Sequence, residues 1–341
     1  MDRRPLEFGF FLPHIVDSPG RGRFAATYDL CTLAEEVGFD FVAMGHHRFT
    51  PDNEVPSSSL LVLSAIAART SKLRLSSAVF LMPLYPALDV AEEIATLDQI
   101  SDGRTMLSFG IGYRPYEYQY AGLNYKARAS RLEEGLQVML QAWTQEAVHF
   151  SGKHYEIDGA PVVPKPVQQP HPPIFLGGGS NAGVDRAARM ADGWMVDTTK
   201  NIDSVTRKVN NYREAAAALG RPSQVCLMRQ VGIGPNHEHI ERTWLPDAAR
   251  SLLGVWQAGG RFPNGDELAR KMLAAERITI GEFASNRDVA GTPDECIEQI
   301  RHFRELTGCE YFLASFGEYP SPQALRDAVE LFGREVIPAF S

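Results

Sequence analysis

The strongest constraint in this sequence is a rhythm. Short apolar runs alternate with segments whose apolar residues recur at helical spacing, and this happens eight times along 341 residues. The strand-like runs are "EFGFFL" (7–12), "FDFVAMG" (39–45), "LRLSSAVFLM" (73–82), "TMLSFGIG" (105–112), "IFLGGG" (174–179), "GWMVDT" (193–198), "QVCLMRQVGIG" (224–234) and "EYFLASF" (310–316). Between them lie helical patterns at 24–38, 58–70, 89–101, 128–145, 181–192, 202–219 and 292–308, with a last one at 322–335. In the first of these, Thr27, Leu30, Cys31, Ala34 and Val37 fall on one face and Gly38 follows as a terminator. Apolar strands joined by helical crossovers predict parallel pairing with helices outside. Eight of them predict a closed (β/α)8 TIM barrel.

Four units precede residue 147 and four follow residue 173, so residues 1–341 are expected to form one domain. The stretch between, "AVHFSGKHYEIDGAPVVPKPVQQPHPP", is rich in Pro and Gly and predicts a small hairpin followed by an extended connector. Helices are expected at 237–258. The segment 260–290 shows no clear strand and reads as an insertion late in the barrel.

Composition narrows the partners. No apolar run approaches the roughly 20 residues of a membrane span, and the first residues lead directly into a strand pattern, so a cytoplasmic protein with no membrane partner is expected. A net charge of −8 without clustered Lys and Arg argues against nucleic acid. Cys31, Cys226, Cys296 and Cys309 are scattered and read as core residues. No His, Cys or acidic spacing fits a metal. His46 and His47 are adjacent and diverge, and "HEH" at 237–239 does not share a helix face. A small-molecule ligand remains.

In a (β/α)8 barrel the ligand sits at the C-terminal strand ends. The residues found there are Pro13 and His14, His46 and His47, Pro83 to Tyr85, Gly110 to Arg114, Gly178 to Ser180, Asp197 and Thr198, and Phe316 to Glu318. The bend "GGGSNA" enters a helix through Ser180. First-turn N–H groups without helical partners make such a bend either an anion site or simply a tight connection. It also fits G-x-G-x-x-A through Gly177, Gly179 and Ala182, with Asp197 twenty residues on, as in a dinucleotide-binding fold. That fold would leave the four earlier units without a sheet.

Five segments in series, "GFDFVAMGHHRFTP", "LSSAVFLMPLYPALDVAEEIATLDQISDGR", "FGIGYRPYEY", "PPIFLGGGS…AARMADGW" and "GTPDECIEQI", closely resemble the bacterial-luciferase-like flavin-dependent monooxygenase family. The resemblance implies a barrel that binds FMN as FMNH2 from a separate flavin reductase. It also implies transfer of one atom of O2 to a small organic substrate through a C4a-hydroperoxyflavin, and a homodimer or higher homo-oligomer. His46 corresponds to a histidine beside the isoalloxazine ring. Ala78 and Val79 correspond to a segment under the flavin, often with a non-prolyl cis peptide. Gly178, Gly179 and Ser180 correspond to the phosphate site, although barrel phosphates more often follow strands seven and eight.

Gly110, Gly112, Tyr113 and Arg114 stand where the family carries a phosphate-binding arginine close behind the fourth strand, and here the arginine comes later. That departure keeps open a deazaflavin cofactor, used by related oxidoreductases on the same barrel, and Arg114 either reaches the phosphate or pairs with Glu117. A flavin-storage or flavin-sensing protein is the non-catalytic alternative. Tyr113, Tyr116 and Tyr118 read as pocket wall or as exposed loop aromatics. Ala187, Ala188 and Ala191 read as helix packing, and Trp194 either edges the active site or fills the barrel, with packing the preferred reading. Because water must be kept from the reaction, the 260–290 insertion is the expected lid.

Overall fold

The computed structural model describes residues 5–12, 24–50, 58–198, 200–259, 267–317 and 319–340. Eight parallel strands follow the predicted runs. They are β1 (Glu7–Leu12), β2 (Phe41–Met44), β3 (Arg74–Ser77), β4 (Leu107–Phe109), β5 (Ile174–Gly177), β6 (Gly193–Val196), β7 (Gln224–Ile233) and β8 (Tyr311–Ser315). Strand β8 pairs in register with β1 (Glu7 opposite Tyr311) and with β7 (Tyr311 opposite Cys226). The sheet then runs through β6 and β5 to β4 on one side and through β2 to β3 on the other. Bridges between Leu75 and Thr105 and between Phe80 and Phe109 bring β3 against β4 and nearly close the barrel.

Two apolar layers hold it. Inside, Phe41, Met106, Phe175, Cys226, Tyr311 and Leu313 plug the lower barrel, with the Phe175 and Tyr311 rings edge-on at 5.4 Å. Gly9 and Gly193 make room for this plug, since a Cβ on either would lie 2.2 Å from the Phe41 ring or 2.1 Å from the Phe175 ring. Outside, helices bury their apolar faces on the strands. Thr27, Leu30, Cys31 and Ala34 of Ala25–Glu36 are buried on the predicted face, and Gly38 follows with φ +98°. All four cysteines are buried.

Three features differ from the sequence expectation. Strand β3 stops at Ser77 rather than running to Met82, and the chain turns through a cis Ala78–Val79 peptide to a 3-10 turn at Met82–Leu84. At the end of the expected insertion, Val289–Gly291 forms a short strand on β7. Gln299 supports it as a strand neighbour would, accepting from Ala290 N–H at 3.0 Å and donating to Ala290 C=O at 2.9 Å. The last helix ends at Leu331 and continues as a π turn over Phe332–Val336.

The predicted hairpin is present, with Ala147–Ser151 antiparallel to Glu156–Pro161. Its connector is tied to the barrel by Asp98, which accepts from Gln168 N–H at 3.0 Å and from Gln168 Nε2 at 2.7 Å. No helix among the described residues is long and apolar enough to cross a membrane.

Candidate active site

A cavity of about 610 Å3 opens above the aromatic plug at the C-terminal strand ends. Its floor is apolar, formed by Phe11, Val79, Leu81, Met195 and Met228. Its rim carries His46 and His47 after β2, Gly110 to Arg114 after β4, Gly178 and Gly179 after β5, and Asp197 after β6. The structure thus brings together all of the expected cofactor residues except Ser180, which stands exposed just outside the wall. Pro13, His14 and Glu318 lie outside the described residues.

His46 is 2% exposed and stacks on Phe80 with ring centroids 4.6 Å apart. Its Nδ1 accepts the Leu81 backbone N–H at 3.1 Å. A backbone N–H can only donate, so in the neutral ring the proton sits on Nε2 and is donated to Tyr85 Oη at 2.9 Å. The exchangeable proton of this histidine is therefore at Nε2, next to a phenol whose own ionisation burial displaces upward.

His47 turns away and donates from Nδ1 to Glu117 Oε1 at 3.1 Å. Glu117 also accepts the Arg48 N–H at 2.7 Å, and its side chain is fully buried. Burial acts to raise the Glu117 carboxyl, but the bonds from His47 and Arg48 N–H and the nearby charges of His47 and Arg114 outweigh it, and the group titrates below the ordinary glutamate range. Glu117 so clamps the His46–His47 loop to the turn after β4. The alternative of an Arg114–Glu117 pair is not realised, because Arg114 instead donates to Tyr116 Oη at 3.0 Å. Of the three tyrosines, Tyr113 lines the cavity, whereas Tyr118 is buried and donates to Ile111 C=O at 2.6 Å.

The bend after β5 is held from behind. Trp194 Nε1 donates to Gly178 C=O at 3.1 Å, and Lys208 Nζ donates to Gly179 C=O. Trp194 thus packs, as expected, and also orients the bend. In a trans peptide the next N–H points opposite to the carbonyl. With both carbonyls drawn toward the helix layer, the N–H groups of Gly179 and Ser180 point back toward the mouth, and neither has a partner among the described residues. Gly178 reaches this shape with φ +144°, a region that favours glycine. Ser180 caps Asn181–Met190, its Oγ accepting Gly183 N–H at 3.1 Å, which leaves the hydroxyl proton free to donate outward. Gly183 lets the helix sit close, since a Cβ there would be 3.3 Å from Gly178. Two inward N–H groups, a hydroxyl and a helix N-terminus are the donor set of a phosphate.

The described part of the expected lid packs elsewhere. Phe283 and Ile280 join Trp244 and Leu245 in a separate apolar cluster, and no described residue of 267–290 lines the cavity.

Tyr85, Glu117, Trp194 and Lys208 act here in ways that local pattern does not reveal. Their partners are 39, 70, 16 and 29 residues away in sequence.

An apolar cavity in a parallel eight-stranded barrel, with an anion donor set at one end and a buried imidazole at the other, defines an enzyme of the cofactor-binding (β/α)8 class. The family model described as luciferase-like monooxygenase matches residues 6–309, and the chain belongs to that family. It is 29% identical, over 98% of this chain and 95% of the relative, to the FMNH2-dependent dimethylsulfone monooxygenase of Pseudomonas putida. It is also 29% identical to an F420-dependent glucose-6-phosphate dehydrogenase of Nakamurella multipartita, covering 82% of this chain and 83% of the relative. Among solved structures, a monooxygenase from Streptomyces bottropensis superposes with a TM-score of 0.80 at 24% identity, over 98% of this chain and 100% of that one.

Proposed function

We propose that this protein is an FMNH2-dependent monooxygenase that oxygenates a small organic substrate, with reduced flavin delivered by a separate reductase. The observation that carries the reading is the pair of inward N–H groups of Gly179 and Ser180, set at the opposite end of an apolar cavity from His46. From β2 to β5 the mouth spans three strand steps, about 14 Å at ~4.8 Å each, which suits an elongated cofactor with an anionic tail. Its volume lies within the range of small-molecule sites.

Reduced flavin bound there supplies two electrons to O2, so that one oxygen atom enters the substrate and the other leaves as water. The residues of this chain do the rest. Gly179 N–H, Ser180 N–H and the Ser180 hydroxyl bind the phosphate, with Arg114 at the neighbouring rim. Ala78, Val79, Gly110, Gly112 and Tyr113 line the space beside the ring and limit water. His46 holds or gives a proton at Nε2, in relay with Tyr85 Oη. The whole chain is one catalytic unit, acting in the cytoplasm as a homodimer or higher homo-oligomer.

A second reading, hydride transfer with a deazaflavin, is favoured by the F420-dependent relatives and by the late position of Arg114. Anaerobic titration with reduced FMN and with reduced deazaflavin separates the two. The proposal expects tighter binding of FMNH2, followed on O2 addition by oxygen uptake that is matched by oxygenated product from a panel of small sulfur compounds and ketones. Preference for deazaflavin without oxygen uptake would replace it with the second reading. Tight flavin binding with peroxide as the sole product throughout would favour a storage or sensing protein.

A further inference from the structure

The floor of the cavity holds two thioethers. Met195 lies beside Cys226, its register partner on β7, and belongs to the same apolar plug. Met228 comes two residues after Cys226, so the strand pleat turns it to the same side, one level nearer the mouth. Phe11, Ala78, Val79 and Met228 pack on the plug, and with Met195 they line the cavity. Of these five side chains, only the two methionines carry an atom that a mild oxidant attacks.

The other described methionines are placed differently. Met44, Met82, Met106 and Met139 are buried away from the cavity wall, while Met190 and Met272 are partly exposed on outer helices. The sulfur of Cys226 is also out of reach, being fully buried, and burial holds its thiol well above the ordinary range so that the reactive thiolate does not form. A thioether carries no proton to withhold its lone pair, and Met195 and Met228 therefore stand as the oxidisable sulfurs of the cavity.

Resting on the flavin reading above, we propose that Met195 and Met228 are modification sites: hydrogen peroxide formed in the cavity when reduced flavin meets O2 without substrate converts them to methionine sulfoxide, and the oxidised floor shuts the site. O2 takes two electrons and two protons from reduced flavin to become hydrogen peroxide. The thioether sulfur attacks one peroxide oxygen with its lone pair. The S–O bond forms as the O–O bond breaks, the proton of the transferred oxygen passes to the departing hydroxide, and water leaves. Sulfur is oxidised by two electrons and peroxide is reduced by two. The new oxygen is a strong acceptor among side chains, Phe11, Ala78 and Val79, that offer no donor. A flavin ring laid over it strips its water and returns no hydrogen bond, so reduced FMN should bind about ten- to a hundredfold more weakly.

The test uses the whole protein in excess over reduced FMN, added repeatedly in air with catalase present and no organic substrate. Catalase destroys peroxide that escapes, so the oxidation that remains arises inside the cavity. Peptide mass spectrometry is expected to find one added oxygen on Met195 and on Met228, accumulating roughly tenfold or more faster than on Met190 and Met272. Anaerobic titration afterwards should show the weakened FMN binding, restored by a methionine sulfoxide reductase. The volume-conserving Met195→Leu/Met228→Leu protein should keep its own initial affinity through the same treatment.

Intact Met195 and Met228 in protein that binds and oxidises reduced FMN would overturn the proposal, as would equal oxidation of Met190 and Met272, which marks attack from solution. Sulfoxides at both sites with unchanged FMN affinity would overturn it too, because the floor would then not shut the site. Failure of the wild-type protein to bind reduced FMN in the initial anaerobic titration would instead sink the flavin reading, and this inference with it.

Discussion

Val79 occupies a slot that two glycines leave open, and filling the slot should displace it into the cavity. A Cβ on Gly110 would lie 2.3 Å from Val79 Cγ2, and one on Gly177 would lie 2.6 Å from Val79 Cγ1. Carbon atoms in contact sit ~3.5–4.0 Å apart, so Gly110→Ala falls short by about 1.2–1.7 Å. Overpacking of this kind costs about 1–3 kcal/mol. Val79→Ala alone removes two methyl groups from a half-buried position, at no more than about 1.6 kcal/mol. It also removes Cγ2, the atom that Gly110→Ala strikes, and leaves only Val79 Cβ at 3.3 Å from the new methyl group.

The double variant Gly110→Ala/Val79→Ala should therefore be about as stable as Val79→Ala alone, with a coupling of roughly 1–3 kcal/mol, the whole cost of Gly110→Ala, in a double-mutant cycle measured by urea unfolding. Because Val79 lines the cavity, Gly110→Ala should also weaken flavin binding, and the double variant should recover it. Additive losses to within about 0.5 kcal/mol would refute the reasoning, since Val79 would then not be the group that the glycines accommodate.

The remaining predictions concern the rim. His46→Ala is expected to retain flavin binding but lose turnover by ~10²–10⁴-fold, the usual span of a general acid–base group, while leaving the buried Leu81 N–H without its acceptor costs about 1–3 kcal/mol of stability; near-normal kcat would remove His46 from the mechanism. Glu117 has a lowered folded value, so its contribution to stability is complete above the ordinary value of 4.5 and is lost as pH falls through the lower folded one. Glu117→Gln should accordingly be less stable near neutrality and show a flatter acid unfolding profile, read by chemical denaturation from pH 6 downward; an unaltered profile would contradict the clamp. Trp194→Phe removes the donor to Gly178 C=O, and should weaken FMN about three- to tenfold while leaving riboflavin nearly unchanged, by calorimetry; equal losses for both ligands would indicate a general packing role.

The barrel was legible because each of its eight units carries enough residues to show a period. Thr27, Leu30, Cys31 and Ala34 mark a helix face, and the uniformly buried "FVAM" of β2 marks a strand covered on both sides. The strand at Val289–Gly291 was not legible, since three residues define no period and part of its pairing comes from the Gln299 side chain rather than from backbone. The end of β3 was missed because "SSAVFLM" continues the strand composition while the chain turns at Ala78–Val79.

At the site, the glycine bend and His46 stood out by residue type. The direction of the bend's N–H groups did not, for it depends on Trp194 and Lys208, which meet the bend only after β5, β6 and the helix Ile202–Ala218 have packed together. The fate of Arg114 was equally hidden. Its expected partner Glu117 is claimed by His47 and Arg48 from another strand end.

The most direct test of the central claim is a crystal structure of the protein with FMN bound. The phosphate is expected within hydrogen-bonding distance of Gly179 N–H, Ser180 N–H and Ser180 Oγ, with the ring lying over Ala78–Val79 toward His46. A phosphate bound elsewhere on the barrel, or a flavin that leaves the bend after β5 empty, would contradict the account.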